Sequence, residues 1–175
     1  YSYFRKLIGL NTFSFALEQT GRYAPFRIKK EDGYWIMDEK EGEETKYKFC
    51  FYTGGEDREI REIYRKIFNS QWDDLDPSCA KLVKQLKKKD KDVEKLMGKR
   101  NKHDTKNFYG NIIKILMTTK TGAEGLNLKC VRHVHIMEPH WQPVLIEQVI
   151  GRAVRTNSHE WLPPKDRNVE VFIYM

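Results

Sequence analysis

Gln148-Val149-Ile150-Gly151-Arg152-Ala153-Val154-Arg155 reads QxxGRxxR. Two arginines three residues apart on a helix share a face. The glycine before the first lets a backbone or a phosphate approach closely. Such a pair can present two guanidinium forks to one polyphosphate. By itself such a pair usually marks a solvated helix face. A second motif upstream, Thr118-Thr119-Lys120-Thr121-Gly122-Ala123-Glu124-Gly125-Leu126-Asn127-Leu128, tips the balance. It follows the apolar run Ile112-Ile113-Lys114-Ile115-Leu116-Met117. A buried strand running into a loop of hydroxyls and glycines suits a grip on phosphates or sugars.

Around these motifs the chain alternates strand and helix patterns. The spacing predicts a helix over 7–17 with Gly21 as its stop, and strands at 23–28 and 47–52. It predicts an amphipathic helix over 56–69 with Ile60, Ile63, Tyr64, Ile67 and Phe68 on one stripe. A lysine-rich helix follows over 79–97, then a polar linker at 101–109. The strand ending at Met117, a strand over 132–138, a helix over 144–155 and a strand over 169–175 complete the order. Residues 30–45, charged and glycine-bearing, read as an inserted hairpin or loop, and 71–109 as a lysine-rich, mostly helical insertion. Alternation of this kind implies an α/β fold, an open parallel sheet with helices on both faces. Its ligand loops belong at the carboxyl ends of the strands.

Taken in order, the motifs resemble the second RecA-like motor domain of superfamily 2 helicases and translocases. Thr119–Leu128 is similar to motif V and Gln148–Arg155 to motif VI. Tyr1-Ser2-Tyr3-Phe4 resembles the end of motif IV. Gly54, Arg61 and Phe68-Asn69 match a spaced family pattern, and residues 134–143 resemble the stretch between motifs V and VI. The wording TKTGAEGLNL is similar to Swi2/Snf2-type translocases. QVIGRAVR resembles the DNA-dependent ATPases and early-transcription helicases of large DNA viruses.

That resemblance implies a C-terminal RecA-like domain spanning 1–175, part of a longer chain. It would work against the N-terminal RecA-like domain of the same chain, which binds ATP and Mg²⁺. Arg152 and Arg155 would be arginine fingers, and Gln148 would bond the phosphates or the attacking water. Gly125, Asn127 and Gly151 would lie near the nucleotide. Ser2, Phe4, Thr53, Gly54, Thr119, Lys120 and Thr121 would face nucleic acid, with double-stranded DNA the expected track and the transcription machinery an expected partner. Asn127 stands where many relatives carry Asp. An RNA or strand-separating helicase, and a non-catalytic nucleic-acid-binding module, are the alternatives.

The chain's own residues set limits. No GxxxxGK[ST] phosphate loop is present. Gly98-Lys99 lacks the earlier glycine, and Tyr34–Glu39, which looks like a Mg²⁺-binding strand end, reads as a charged hairpin tip. The segment alone is expected to hydrolyse nothing. Formal net charge is +7. Residues 81–109 hold eleven basic and four acidic side chains, so one local block carries the entire excess. Such a block either binds phosphate backbones or is a solvated insertion. Cys50, Cys79 and Cys130 are far apart and odd in number, which argues for a reducing, intracellular compartment. His133 and His135 alternate on a strand with no partner at ligand spacing, so no metal site is expected. No apolar run is long enough to span a bilayer.

Overall fold

The computed structural model describes residues 1–5, 9–97, 107–120, 125–138 and 142–174, with the backbone alone at 93–97. Its centre is β4 (Tyr47–Tyr52), a run of apolar and aromatic residues suited to a strand buried on both faces. β4 pairs in parallel with β1 (Tyr23–Pro25) on one side and β5 (Ile115–Thr118) on the other. β6 (His133–Ile136) and β7 (Glu170–Ile173) form a second parallel pair. Tyr1 and Ser2 run between the two groups. The Ser2 amide donates to the Thr118 carbonyl at 3.1 Å, and the Met137 amide donates to the Tyr1 carbonyl at 2.9 Å.

Side chains alternate across this sheet with the strand period of two. Phe49 and Phe51 of β4, with Ile115 and Met117 of β5, pack on Leu10, Phe13 and Leu17 of α1 (Leu10–Gln19). Cys50 and Leu116 point the other way, into the cluster built by α2 (Arg58–Phe68) and α3 (Ala80–Met97). Helices therefore cover both faces, as the alternation predicts. α2 begins at the Asp57 cap, whose side chain accepts from the Glu59 amide, and ends in Arg65 and Lys66, charges that complement the helix dipole. The stripe Ile60, Ile63, Tyr64, Ile67 and Phe68 faces this core. α4 (Pro143–Ala153) opens on a proline at its first turn and lays Ile146, Val149 and Ile150 over Val134 and Ile136. His133 and His135 share the opposite, exposed face of β6.

The stretch read as an inserted hairpin or loop contains an antiparallel hairpin, β2 (Ile28–Glu31) and β3 (Tyr34–Met37). Its turn is Asp32-Gly33, with φ of 50° and 79°, the backbone a tight hairpin requires. The strand expected over 23–28 is thus divided between β1 and β2. The hairpin and α3 pack together on the main core. Trp35, Leu82 and Leu86 are buried in the same cluster as Ile63 and Ile67. Each buried leucine contributes about 1.5–3 kcal/mol. The Gln85 side chain accepts from the Met37 amide at 2.8 Å.

Ion pairs reinforce this junction. Lys48 of β4 is buried, with its Nζ 3.0 Å from Glu39 and 3.7 Å from Glu43. Glu39 also pairs with Lys89 of α3, and Glu43 with Arg27 at 2.6 Å. Burial alone would raise the Glu39 carboxyl, but the ammonium groups of Lys89 and Lys48 outweigh it and hold the acid below its usual range. Glu43 is held low in the same way, against burial, by Arg27 and the Lys40 amide. Burial pushes Lys48 below the ordinary lysine range, with Glu39 opposing the shift.

The cost of breaking a buried pair is set by the charge left without a partner. Glu39→Gln is expected to lose about 3 kcal/mol in urea unfolding, because Lys48 keeps only the longer Glu43 contact. Lys48→Met, which leaves Glu39 to Lys89 and Glu43 to Arg27, should stay within about 1 kcal/mol of the parent. Depressed carboxyl values stabilise above the unfolded value, near about 4.3. That contribution is lost as pH falls through the folded values, so Glu39→Gln should flatten the acid limb of the stability curve.

Candidate nucleotide and nucleic-acid site

The carboxyl ends of β4 and β5 lie side by side, since Tyr52 pairs with Thr118. Thr53 and Thr119 follow directly, and Ser2 joins them through its bond to Thr118. Thr53 and Thr119 thus follow the ends of β4 and β5. Their hydroxyls are not equally free. Ser2 is buried, and its Oγ contacts both oxygens of Glu138, at 2.9 and 2.7 Å, and the Phe4 carbonyl at 2.8 Å. Thr53 is buried and gives its Oγ1 to Glu56 at 2.6 Å, while its amide donates to the same oxygen at 2.8 Å. Glu56 is held in turn by Arg5. Thr119 is buried as well. Phe4, Gly54 and Lys120 are the exposed members of this edge. Ser2 and Thr53 therefore shape the loops, and the outward contacts available here belong to Phe4, Gly54 and Lys120. Thr121 lies outside the described residues.

The tail of the upstream motif returns to the body of the domain at Gly125. Its φ of 72° belongs to the left-handed region, where any other residue costs about 1–2 kcal/mol. Leu126 and Leu128 are buried, whereas Asn127 is exposed. Asn69, just past α2, clamps this stretch. Its Nδ2 donates to the Asn127 carbonyl at 2.8 Å, and its Oδ1 accepts from the Lys129 amide at 2.9 Å. The same stretch is laced to the downstream motif. The Leu128 amide donates to the Arg152 carbonyl at 3.3 Å, and the Cys130 amide to the Ser158 carbonyl at 2.9 Å. Cys130 and Asn157 both sit at positive φ along this seam, 57° and 62°.

Gln148 and Arg152 stand four residues apart on α4, hence on one face. Arg155 does not share the helix. α4 ends at Ala153, and Val154, with φ −106° and ψ 81°, turns the chain away. The expectation of a helix through Arg155, with both arginines on one helical face, is corrected accordingly. The physical reason is Ser158. Its Oγ donates to the Ala153 carbonyl at 3.2 Å and accepts from the Arg155 amide at 3.2 Å, closing the chain into a turn. His159 supports it through contacts to Ser158 Oγ at 2.7 Å and to the Val131 carbonyl at 2.6 Å. Arg155 is exposed, and its Nε reaches back to the Gly151 carbonyl at 3.4 Å. A Cβ on Gly151 would meet nothing within 4 Å, so space is open in front of the helix there.

Asn69, Ser158 and Glu138 were not singled out from sequence as site residues. All three lie in or beside stretches that the resemblance covers, but nothing in the pattern marked them as partners of groups remote in sequence. Among the described residues no group of three or more His, Cys, Asp or Glu is placed to hold a metal ion. No helix of the described residues is long and apolar enough to cross a membrane. Burial pushes the Cys130 thiol up to about 11, which fits a packing role rather than a reactive one.

Asn69→Ala should cost about 1–2 kcal/mol, because it strips the part-buried Lys129 amide and Asn127 carbonyl of their partner. Hydrogen exchange should quicken at Leu128–Cys130 and leave β4 unchanged. Asn69→Asp keeps the acceptor for Lys129 and should recover part of the loss. Equal exchange in all three proteins would show that the clamp is not needed.

The sequence pattern of the family described as "Helicase conserved C-terminal domain" matches residues 60–157. A "Termination factor NPH-I homolog" of African swine fever virus is 49% identical over 69 residues, 39% of this chain and 10% of the relative. A protein named "Putative ATP-dependent RNA helicase" of Acanthamoeba polyphaga mimivirus is 46% identical over 72 residues, 41% of this chain and 9% of that one. A "Nucleoside triphosphatase I" of Melanoplus sanguinipes entomopoxvirus is 41% identical over 71 residues, 41% of this chain and 11% of that one. The matched part spans about a tenth of the length of these relatives. No solved structure matches. The family pattern covers more than half of the sequence and takes in most of α2, the Asn69 clamp and both motifs, so the chain belongs to the helicase conserved C-terminal domain family.

Proposed function

We propose that the chain is the C-terminal half of an ATP-driven motor on double-stranded DNA. It completes an active site whose nucleotide and Mg²⁺ are held by an N-terminal RecA-like domain of the same protein. The observation that carries this reading is the seam joining the two motifs: Asn127–Cys130 is fastened to Asn69, Arg152 and Ser158 at once. A group that stabilises a transition state must be held in place before the reaction, and these bonds hold the backbone beneath Arg152 and Arg155.

In this reading Arg152 and Arg155 place positive charge on the γ-phosphate as its bond breaks. Gln148, on the face of Arg152, bonds the phosphates or the attacking water. Gly125 and the Asn127 amide lie toward the sugar, and the open space before Gly151 admits the phosphates. Phe4, Gly54, Lys120 and Thr121 meet the nucleic-acid backbone, with Ser2, Thr53 and Thr119 setting their loops. Phosphate contacts of this kind carry no sequence information, as a tracking motor requires. By itself the segment hydrolyses nothing. One relative's name includes a termination factor, which supports a transcription complex as the partner. Another is named for RNA, so RNA is the second track to test.

The deciding experiment is ATP turnover by the full-length protein with duplex DNA, single-stranded DNA and RNA. Arg155→Ala should lower stimulated turnover by about 10³-fold or more while DNA binding persists. Unchanged turnover would sink the finger assignment, and stimulation by RNA alone would replace the track. Gly151→Ala should melt at the parent temperature or slightly higher, since alanine favours the helix and meets no neighbour. Its ATP KM should nevertheless rise.

A further inference from the structure

The lysine excess that the motifs leave unexplained lies mainly on α3. Lys81, Lys84, Lys88 and Lys91 recur at steps of three and four, so they form one stripe along the helix. All four are exposed. The opposite side of the helix buries Leu82 and Leu86. Lys81 lies over the Tyr34 ring of the hairpin, 4.8 Å from its centroid. Asp92, four residues after Lys88, is an acid on the same face, against the four lysines. Lysines at these steps repel one another, whereas a helix selected only for solubility alternates signs at the same spacing.

The stripe is also held firmly. Leu82 and Leu86 are anchored in the main core with Ile63 and Ile67. Gln85 bonds the hairpin, Lys87 pairs with Asp73 at 2.9 Å, and Lys89 pairs with Glu39, which also pairs with Lys48 of β4. A charged surface anchored in this way moves with the motor sheet.

We infer that the Lys81–Lys84–Lys88–Lys91 stripe of α3 is a second contact with duplex DNA, binding the phosphate backbone beyond the strand-end loops. The ten helical rises from Lys81 to Lys91 make about 15 Å. Phosphates follow one another at about 3.4 Å along the axis per strand, so four ammonium groups lie abreast of roughly four phosphates. The charge complementarity is one-sided and sequence-independent, which suits a track rather than a target site. This inference rests on the motor reading proposed above.

The test is fluorescence anisotropy of the full-length protein with a labelled duplex across a salt series. The variant replaces Lys81, Lys84, Lys88 and Lys91 with Gln. Its slope of log K against log salt should shrink by up to about 3.6, at about 0.9 per lost phosphate contact. Affinity near physiological salt should fall on the order of tenfold or more. ATP turnover without nucleic acid should be unchanged. A triple variant that spares Lys81 and its contact with Tyr34 should lose up to about 2.7 of the slope. Variants that bind with the parent's affinity and slope would overturn the stripe alone. A parent that binds neither duplex DNA nor RNA would overturn the motor reading and the stripe with it. Loss of binding to anionic vesicles, with duplex binding intact, would also overturn it.

Discussion

Two buried asparagine amides hold the irregular half of this domain together. Long stretches outside helices and strands must still satisfy every buried N–H and C=O. Asn107 meets that demand before β5. Its Oδ1 accepts from the Ile112 and Ile113 amides at 2.8 and 2.9 Å, and its Nδ2 donates to the Phe68 and Ile113 carbonyls, each at 3.1 Å. Asn69 meets it after β5, at Asn127 and Lys129. Ser70, between them in space, accepts from the Asn107 amide at 2.9 Å and itself takes a positive φ of 62°. The end of α2 is thereby the fixed point from which both the entry and the exit of the motif-bearing strand are hung.

This anchoring explains how the two motifs come together although 30 residues of sequence separate Leu128 from Ser158. β5 and β6 are not paired directly. Tyr1 and Ser2 bridge them, and Glu138 fixes that bridge through the Ser2 hydroxyl and the Tyr3 amide at 2.9 Å. On the other side, the Leu128 amide crosses to the last turn of α4 and the Cys130 amide to the loop that follows it. The seam is made of backbone bonds, which is why side-chain patterns do not reveal it.

Much of the architecture was nevertheless legible. β4 alternates Phe49 and Phe51 against Cys50, and that period fixes two faces and hence helices on both. The stripe from Ile60 to Phe68 placed α2, and the apolar run that ends at Met117 placed β5. What escaped was set by pairings remote in sequence. A lysine in the middle of β4 gives no hint that Glu39 and Glu43 will enclose it. The hairpin and the lysine-rich helix read as separate charged stretches, because the core that buries Trp35 with Leu82 and Leu86 joins residues about 50 apart. The end of α4 was misplaced for a similar reason. Val154 and Arg155 are acceptable helix formers, and only the Ser158 hydroxyl, three residues on, makes the turn the better solution.

The early end of α4 changes what the two arginines can do. Arg152 rides on the last turn of a helix, where the partial negative charge of free carbonyls favours a cation. Arg155 lies beyond the helix and turns its Nε back to one of those carbonyls, Gly151. At 3.4 Å that bond is long and weak, so little is lost when the guanidinium leaves it. Its backbone, in contrast, is pinned at both ends of the turn by Ser158. A side chain with a weak resting partner on a fixed backbone can swing without loosening the fold. On the motor reading, the pair divides the work between a cation fixed by its helix and one released from a helix end as a phosphate arrives. The switch then requires no rearrangement of α4 itself.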